Sequence, residues 1–372
     1  MLLMSRRVHT AIILFLVYLI NSGRGSRKRK CVQHTLLRCN LMPNPRLGSD
    51  WVILHQGRRD GAYIKVMGID VATFNYILDS GFKEAWMRNT ITRDDVNPAG
   101  RSRPGARSLD AAGGLGVILY HLCSVMSDAA IEQIFALVPS SVSRYLSFGM
   151  PLLLEVLKKL PESQIEWPSV DDMGELSDTV NTRYPSIKGM IIAATINAPG
   201  SWHDVRVASV DIYDLLLDET PEGYRVLADS AFQSNNENLA KKIHTPLKRN
   251  NIFPGLNPEQ VNDEWEYSAV VTSARQAVEW GMRAVQGSFA RLRIPLSAND
   301  SHRRQLLIES CLRLHNLRTT RVGINQIRTV YLPYWTCGEP TYFERLYATL
   351  FPLATDRNPR ARPFNGLDES VP

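Results

Sequence analysis

The sequence predicts an α+β chain with a helical N-terminal half and a C-terminal half that combines strands with helices. Three observations lead to this fold class. Apolar residues recur at helical spacing within 108–160, two apolar runs occupy 190–196 and 224–228, and a long helical stripe covers 274–292. The 372 residues are enough for one or two hydrophobic cores.

The charge of the chain is concentrated in two basic blocks. Lysine and arginine outnumber aspartate and glutamate by 43 to 37, which gives a net charge of +6. Residues 1–31 and 283–328 each carry a local charge of +7, so the remaining residues sum to −8. Such blocks predict contact with a polyanion, most often nucleic acid, although a solvated charged surface has the same composition.

Residues 10–20 form an apolar run between Arg6-Arg7 and the basic cluster Arg27–Lys30. The run is shorter than the roughly 20 residues that span a bilayer, and no small-residue cleavage site follows it. We therefore expect a helix docked on the protein body, with a membrane anchor through residues 10–20 as the alternative. The Arg27–Lys30 cluster is typical of nuclear import signals, so the expected location is the nucleus.

The five cysteines are scattered and odd in number, which argues against a disulfide scaffold and for free thiols. Cys31, His34 and Cys39 have a loose metal-like spacing. Structural zinc takes four ligands and no fourth lies nearby, so we do not expect a zinc site there.

Residues 45–185 are predicted to be mostly helical, with a polar Gly/Pro/Arg-rich loop at 97–108. The first clear amphipathic helix in this region is followed by a second short helix that starts at Ser127 or Asp128. The inward positions of the first helix are Leu115, Ile118, Leu119, Leu122 and Met126.

A third helix opens at Pro139, and the order of short helix, tight turn and helix is that of a helix-turn-helix within 108–160. Its first turn would present Ser141 and Arg144 to DNA. Three-helix packing without a role in DNA binding is the alternative. The inward positions of the second and third helices are Ile131, Ile134, Phe135, Val142, Tyr145 and Leu146.

Residues 189–331 are predicted to form an α/β arrangement. Met190–Ile196 (MIIAATI) is a continuous apolar run typical of a buried strand, and we expect it beside the second strand, Tyr224–Ala228. The polar, Pro-rich tail at 355–372 is expected to be disordered. The long helix at 274–292 should pack on the sheet through Val278, Met282, Val285, Phe289 and Leu292.

Three acidic residues in this half occupy positions suited to chemistry. Asp229 ends the second strand, and the carboxyl ends of strands are where α/β sheets place their sites. Glu279 lies on the long helix, where a salt-bridged surface acid is the alternative. Asp204 precedes a predicted helix at Val205–Leu217, which it could simply cap.

Five sequence blocks between 189 and 331 resemble the catalytic half of Harbinger-type (PIF/Harbinger) transposases and the nucleases derived from them. The order and spacing of the blocks follow that family, and the helical segment 108–160 is similar to its helix-turn-helix-like region. The blocks are NAPGSWHDVRVAS (197–209), PEGYRVLADSAF (221–232), PLK (246–248), AVEWGMRAVQGSFARLR (277–293) and LRLHNLRTTRVGINQIRTVY (312–331).

The resemblance implies an RNase H-like mixed sheet whose DDE triad holds divalent metal, Mg²⁺ or Mn²⁺. Asp229 matches the second catalytic aspartate, Glu279 matches the final glutamate, and Asp204 matches a motif aspartate that contributes to the metal site. Two such ions activate a nucleophile and stabilise the leaving oxygen of a phosphodiester, so DNA is the implied substrate. His315 and Asn316 match the family's Leu-His-Asn block, which we interpret as buried helix packing.

DNA contacts are expected from the basic block 283–328. We assign Arg283, Arg291 and Arg293 to the interface, and we expect other arginines of the block to serve helix packing. A separate DNA-binding protein is a further expected partner, and no small-molecule cofactor is expected.

The chain departs from the family pattern between Ile187 and Lys188. In the family, a strand ending in an Ile-Asp-Gly-type motif carries the first catalytic aspartate, and the segment with that strand is missing here. The acids at 171–178 lie in a helix-like stretch and do not replace it. We therefore expect an incomplete sheet with an exposed edge and impaired cleavage. The alternative is a DNA-binding protein without chemistry.

Overall fold

A computed structural model describes residues 36–92, 100–181, 189–232, 236–247, 255 and 257–323. Inside helices, the side chains at 177–181, 266–267, 270 and 273–280 lie outside the described part of the chain. The predictions for residues 1–31 and for the tail at 355–372 fall outside the described residues.

The described residues are mostly helical, and none of their helices is long and apolar enough to cross a membrane. The strands are β1 (Val226–Leu227) and β2 (Ile243–His244). The helices are α1 (Pro45–Gly48), α2 (Asp50–Gly57), α3 (Asp60–Met67), α4 (Val71–Ile77), α5 (Lys83–Arg88), α6 (Ala111–Cys123), α7 (Asp128–Ile134), α8 (Pro139–Leu157), α9 (Val170–Asn181), α10 (Asp204–Asp218), α11 (Glu237–Lys242), α12 (Pro258–Ser288) and α13 (Ser301–Arg321).

The main hydrophobic core is built around α6, α8 and α13. Helix α6 begins after Asp110, whose carboxylate accepts a hydrogen bond from the Gly113 N–H. Its apolar positions are buried along nearly its whole length. A Cβ on Gly114 would come within 2.5 Å of the Trp86 ring, so this ring lies against bare helix backbone.

The three helices predicted within 108–160 are confirmed as α6, α7 and α8. Met126 is an exception among the predicted inward positions, because α6 ends at Cys123 and leaves Met126 57% exposed. The predicted positions that are buried are Leu115, Ile118, Leu119, Leu122, Ile131, Phe135, Val142, Tyr145 and Leu146.

The turn between α7 and α8 is tight and internally bonded. Ala136 adopts a left-handed backbone conformation with φ 49°. The N–H of Leu137 donates to the C=O of Glu132, and Pro139 then begins α8. A proline suits the first helical position because its missing N–H would have no partner there.

Helix α13 packs against α8 and belongs to the same core. The Glu309 carboxylate on α13 lies 3.1 Å from the Lys158 ammonium just beyond α8. Helix α13, which contains the start of the last sequence block (312–331), is therefore packed on the helical N-terminal half. The side chains that it buries are Leu307, Cys311, Leu312, Leu314 and Leu317.

A second, smaller apolar cluster joins α10, α11 and the strands through Leu216, Leu239 and Ile243. β1 and β2 pair in parallel, with Val226 opposite Ile243. The strand predicted at Tyr224–Ala228 is thus confirmed in its central part.

The prediction of a buried strand at Met190–Ile196 is wrong. Among the described residues the sheet consists of β1 and β2, and Ile192 is 38% exposed. The side-chain amide of Asn316 takes the place of a neighbouring strand: it accepts from the Ile191 N–H and donates to the Ile191 C=O, both at 2.8 Å. A strand requires a backbone neighbour, and here a helix side chain satisfies these groups instead.

Helix α12 starts earlier than the predicted 274–292. Asn257 caps it by accepting from the Gln260 N–H at 2.8 Å, and a short 3-10 turn at Ala290–Arg293 follows its end. Val285 and Phe289 are buried as predicted, whereas Met282 is 56% exposed. The side chain of Val278 is not among those described.

Candidate functional site

Asp229 stands directly after the small parallel sheet. The N–H of Ala228 donates to the C=O of His244 at 2.8 Å, which extends the pairing of β1 and β2 by one bond. The Asp229 side chain is partly exposed and accepts a hydrogen bond from the Ser230 hydroxyl at 3.2 Å. An acid at the carboxyl end of a parallel strand is therefore present where the sequence predicts it.

Asp204 is the first residue of α10 and is exposed. The N-cap position belongs to His203, and no side chain caps the helix. A carboxylate in the first turn of a helix is stabilised by the partial positive charge of the free N–H groups. Asp204 thus does not act as the capping residue considered from the sequence.

Glu279 lies on α12, and α12 packs against β1. The backbone of the long helix is therefore placed beside the strand that leads to Asp229. The Glu279 side chain is not among those that the structure describes.

The described side chains do not assemble a metal centre. Among them, no group of three histidine, cysteine, aspartate or glutamate residues is close enough to hold an ion. Asp204 and Asp229 have the oxygen donors that Mg²⁺ prefers, but they are not joined by a third described ligand. Cys39 is exposed, while Cys31 and His34 lie outside the described residues.

The acidic stretch at 171–178 is helical, as the sequence predicts, and lies on α9. Asp172 takes part in capping that helix, because its carboxylate accepts from the Ser169 hydroxyl at 2.6 Å and from the Ser169 N–H at 3.2 Å. This acid therefore has a local structural role at the start of a helix.

Several arginines of the block 283–328 hold the fold together, as expected. The Arg304 side chain donates to Asn197 Oδ1 at 2.8 Å and also to two backbone carbonyls before α13. Arg313 pairs with Glu309 at 3.0 Å. Arg318 donates to the Ser288 hydroxyl, and its burial lowers the pKa of the guanidinium from its usual value.

The three arginines that the sequence analysis assigns to DNA lie at the end of α12 and in the turn that follows it. Arg283 and Arg293 are exposed and Arg291 is partly exposed. Arg293 donates through Nε to the Gln286 C=O at 3.1 Å, which leaves the other guanidinium nitrogens without a described partner. These three residues remain a prediction for DNA contact.

His121 near the end of α6 lies close to charged residues whose proximity the sequence did not predict. Burial, followed by the charges of Arg291 and Arg303, lowers the pKa of His121 from 6.5 to about 3. The Asp128 carboxylate at the start of α7 lies 3.9 Å from His121 Nδ1. Arg291 and Arg303 are therefore close to His121 at the end of α6. Arg291 belongs to the Ala290–Arg293 turn, which packs on α6, and Arg303 lies in the first turn of α13.

The first turn of α8 is accessible at the helix-turn-helix-like region. Arg144 is exposed and Ser141 is partly exposed, while Val142 and Tyr145 on the other face are buried. This division of faces is compatible with a recognition helix. It equally suits an ordinary surface helix, so the DNA role of Ser141 and Arg144 remains a prediction.

Residues 186–316 match the family model described as DDE superfamily endonuclease. This match covers less than half of the chain and supports a transposase-derived DDE nuclease domain there, for which DNA is the implied substrate. It includes Asp204, Asp229 and Glu279. The comparisons with curated proteins and with solved structures give no match.

Proposed function

We propose that the chain is a Harbinger-type, transposase-derived protein that binds duplex DNA and whose nuclease domain is impaired in cleavage. The observation that carries the proposal concerns residues 190–196, which are fixed to helix α13 and are not paired with a described strand. These residues lie within the DDE nuclease match, yet Asn316 bonds their backbone where a strand neighbour would be expected.

The chemistry of phosphodiester cleavage supports impairment. Divalent ions in a DDE site activate the nucleophile and stabilise the leaving oxygen, which requires several carboxylates around the ions. The family's segment with the first catalytic aspartate, expected between Ile187 and Lys188, is missing from the sequence.

DNA binding in the proposal rests on exposed basic residues. Arg283, Arg291 and Arg293 follow one another along the end of α12 and the following turn, and Arg303 lies near Arg291 around His121. Guanidinium groups bind phosphates in bidentate geometry. The proposed location is the nucleus, and a separate DNA-binding protein is a proposed partner.

A cleavage assay with the full chain tests the impairment. Plasmid DNA with Mg²⁺ or Mn²⁺ should be nicked no faster by the unmodified chain than by Asp229→Ala. A chain with a family-like strand and its aspartate inserted between Ile187 and Lys188 should cleave, and Asp229→Ala in that chain should abolish the gain.

Two results would decide against parts of this proposal. Cleavage by the unmodified chain that disappears in Asp229→Ala would show that the nuclease is intact. Absence of DNA binding in a parallel anisotropy titration would contradict the DNA-binding role, whatever the cleavage assay gives.

A further inference from the structure

Residues 190–196 run alongside helix α13 and are fixed at both ends. At one end the Asn316 amide bonds both backbone groups of Ile191. At the other end Asn197 Nδ2 donates to the Ser301 C=O at 3.0 Å, and Asn197 Oδ1 accepts from Arg304 at 2.8 Å.

The distance between these anchors forces the segment to be extended. Helix α13 rises about 22 Å between Ser301 and Asn316. A fully extended chain advances only about 20 Å between Ile191 and Asn197. The two lengths are similar, so the segment is close to fully extended between its anchors.

An extended segment has two edges, and the residues that the structure describes bond to only one of them. The N–H and C=O of a residue in an extended chain point to the same edge, and successive residues alternate between edges. Because Ile191 points toward α13, Ile192 and Ala194 point away from it. Among the residues that the structure describes, none bonds to the backbone of Ile192 or Ala194.

The exposure of the residues alternates with the two-residue period of an extended segment. Met190, Ile192 and Ala194 are exposed, while Ile191, Ala193 and Thr195 are only partly exposed. The outer edge also lacks the usual protection of a free strand, since the run MIIAATI has no charged residue and no proline. The anchors on α13 already order residues 190–196. Pairing with another strand therefore costs less conformational entropy.

We infer that the outer edge of residues 190–196 pairs with the same edge of a second copy of this chain, antiparallel about a two-fold axis at Ala193. The sequence is suited to self-pairing, because the two-fold places Ile192 opposite Ala194 and brings no two charges together. The same edge of each copy forms both sides of this contact, so the pairing closes at a dimer.

The register of this dimer follows from the edge assignment. Ile192 and Ala194 of opposite copies exchange backbone hydrogen bonds, since both point outward. Ala193 points inward, so the two Ala193 residues form a non-hydrogen-bonded pair with Cα atoms about 4.5 Å apart. Alanine at the axis leaves room for this close approach.

Analytical ultracentrifugation of the full chain over a wide concentration range should show a monomer–dimer equilibrium. Ile192→Lys adds a charge to each half of the pairing edge and should raise the dimer dissociation constant at least about tenfold. Met282→Lys is the matched control, because it alters an exposed apolar side chain on α12. It should leave the dissociation constant unchanged.

Cross-linking tests the register without disturbing the apolar surface. In a background with Cys31, Cys39 and Cys337 changed to serine, Ala193→Cys should form an intermolecular disulfide on mild oxidation, because its Cα separation suits that bond. The I192C thiols would lie diagonally about 7–8 Å apart and should not cross-link.

A chain that stays monomeric at every concentration would overturn the inference, even if the edge accepted a strand from another protein. A dimer that Ile192→Lys leaves intact would overturn it as well. Cross-linking through I192C in preference to A193C would exclude the proposed register and with it the two-fold at Ala193.

Discussion

At the scale of single residues, Asn316 connects distant parts of the chain. Its amide is fully buried and bonds the Ile191 N–H, the Ile191 C=O and the Gln164 C=O at 2.7–2.8 Å. The neighbouring His315 Nε2 lies 3.1 Å from the Gly189 C=O. The interpretation of these two residues as buried packing groups is confirmed, and the structure adds their role in holding residues 189–191.

Replacing Asn316 with leucine should lower the free energy of unfolding by about 2–4 kcal/mol, because it leaves three partly buried backbone groups of Ile191 and Gln164 without this partner. Urea unfolding measures the change. Asn89→Leu is the control, since Asn89 is exposed and, among the residues that the structure describes, its side chain bonds the Ala85 C=O. The control should change stability by about 0.5 kcal/mol or less, and equal losses in both variants would contradict the role of Asn316.

His121 should make stability depend on pH. Its pKa is lowered from 6.5 to about 3 by burial and by Arg291 and Arg303, so the folded state holds it neutral while the unfolded state protonates it near pH 6.5. Its contribution is therefore complete above pH 6.5 and is lost as the pH falls toward 3, by up to about 1.4 kcal/mol per pH unit.

Unfolding measured between pH 7 and pH 4 should show a weaker pH dependence for His121→Gln than for the unmodified chain. His302→Gln changes an exposed histidine and should preserve the original slope. Parallel curves for the unmodified chain and His121→Gln would mean that Asp128, 3.9 Å away, or other carboxylates control the acid sensitivity.

At the scale of elements, the sequence predicted helices better than strands. The spacing of apolar residues in α6, α7 and α8 is a local property, and these helices follow it. The run 190–196 has the composition of a strand, but a strand exists only with a backbone neighbour, and α13 lies there instead. Composition alone could not predict that a helix would lie where a neighbouring strand was expected.

In the candidate site, too, local features could be predicted from the sequence and contacts between distant residues could not. Asp229 could be placed at a strand end from the sequence because the strand and the acid are adjacent. The approach of Arg291 to His121 could not be predicted, because it depends on how the turn after α12 packs on α6.

The packing of α6 against the Trp86 ring should be sensitive to a single methyl group. Gly114→Ala would place a Cβ 2.5 Å from the ring, so the ring or the helix must move. We expect a loss of about 1–3 kcal/mol in the free energy of unfolding, measured by thermal or urea denaturation.

Gly61→Ala in α3 is the matched control for that change. A Cβ on Gly61 meets no atom within 4 Å, and alanine favours a helix over glycine by about 0.5–1 kcal/mol. The two alanine substitutions should therefore act in opposite directions. A stabilising Gly114→Ala would show that the contact between α6 and Trp86 is looser than described.

At the scale of the whole molecule, the two halves suggested by the sequence both contribute helices to the main hydrophobic core. Helix α13 comes from the segment that matches a DDE nuclease, yet it completes the helical core with α6 and α8. Arg321 on α13 bonds Glu162 at 2.9 Å and stacks on Tyr76 at 3.8 Å from the ring centre. Because the core includes α13, we expect that the N-terminal half requires this helix to fold.

DNA binding by the whole chain should depend on salt and on the position of the charges. Each phosphate neutralised contributes about −0.9 to the slope of log affinity against log salt concentration. Arg291→Ala combined with Arg293→Ala should therefore reduce the magnitude of that slope by up to about 1.8, measured by fluorescence anisotropy with duplex DNA. Arg59→Ala combined with Arg88→Ala removes the same net charge from exposed positions in the N-terminal half, and it should leave the slope unchanged. If both pairs reduced the slope equally, net charge rather than the turn after α12 would account for binding, because only a localised contact distinguishes the two pairs.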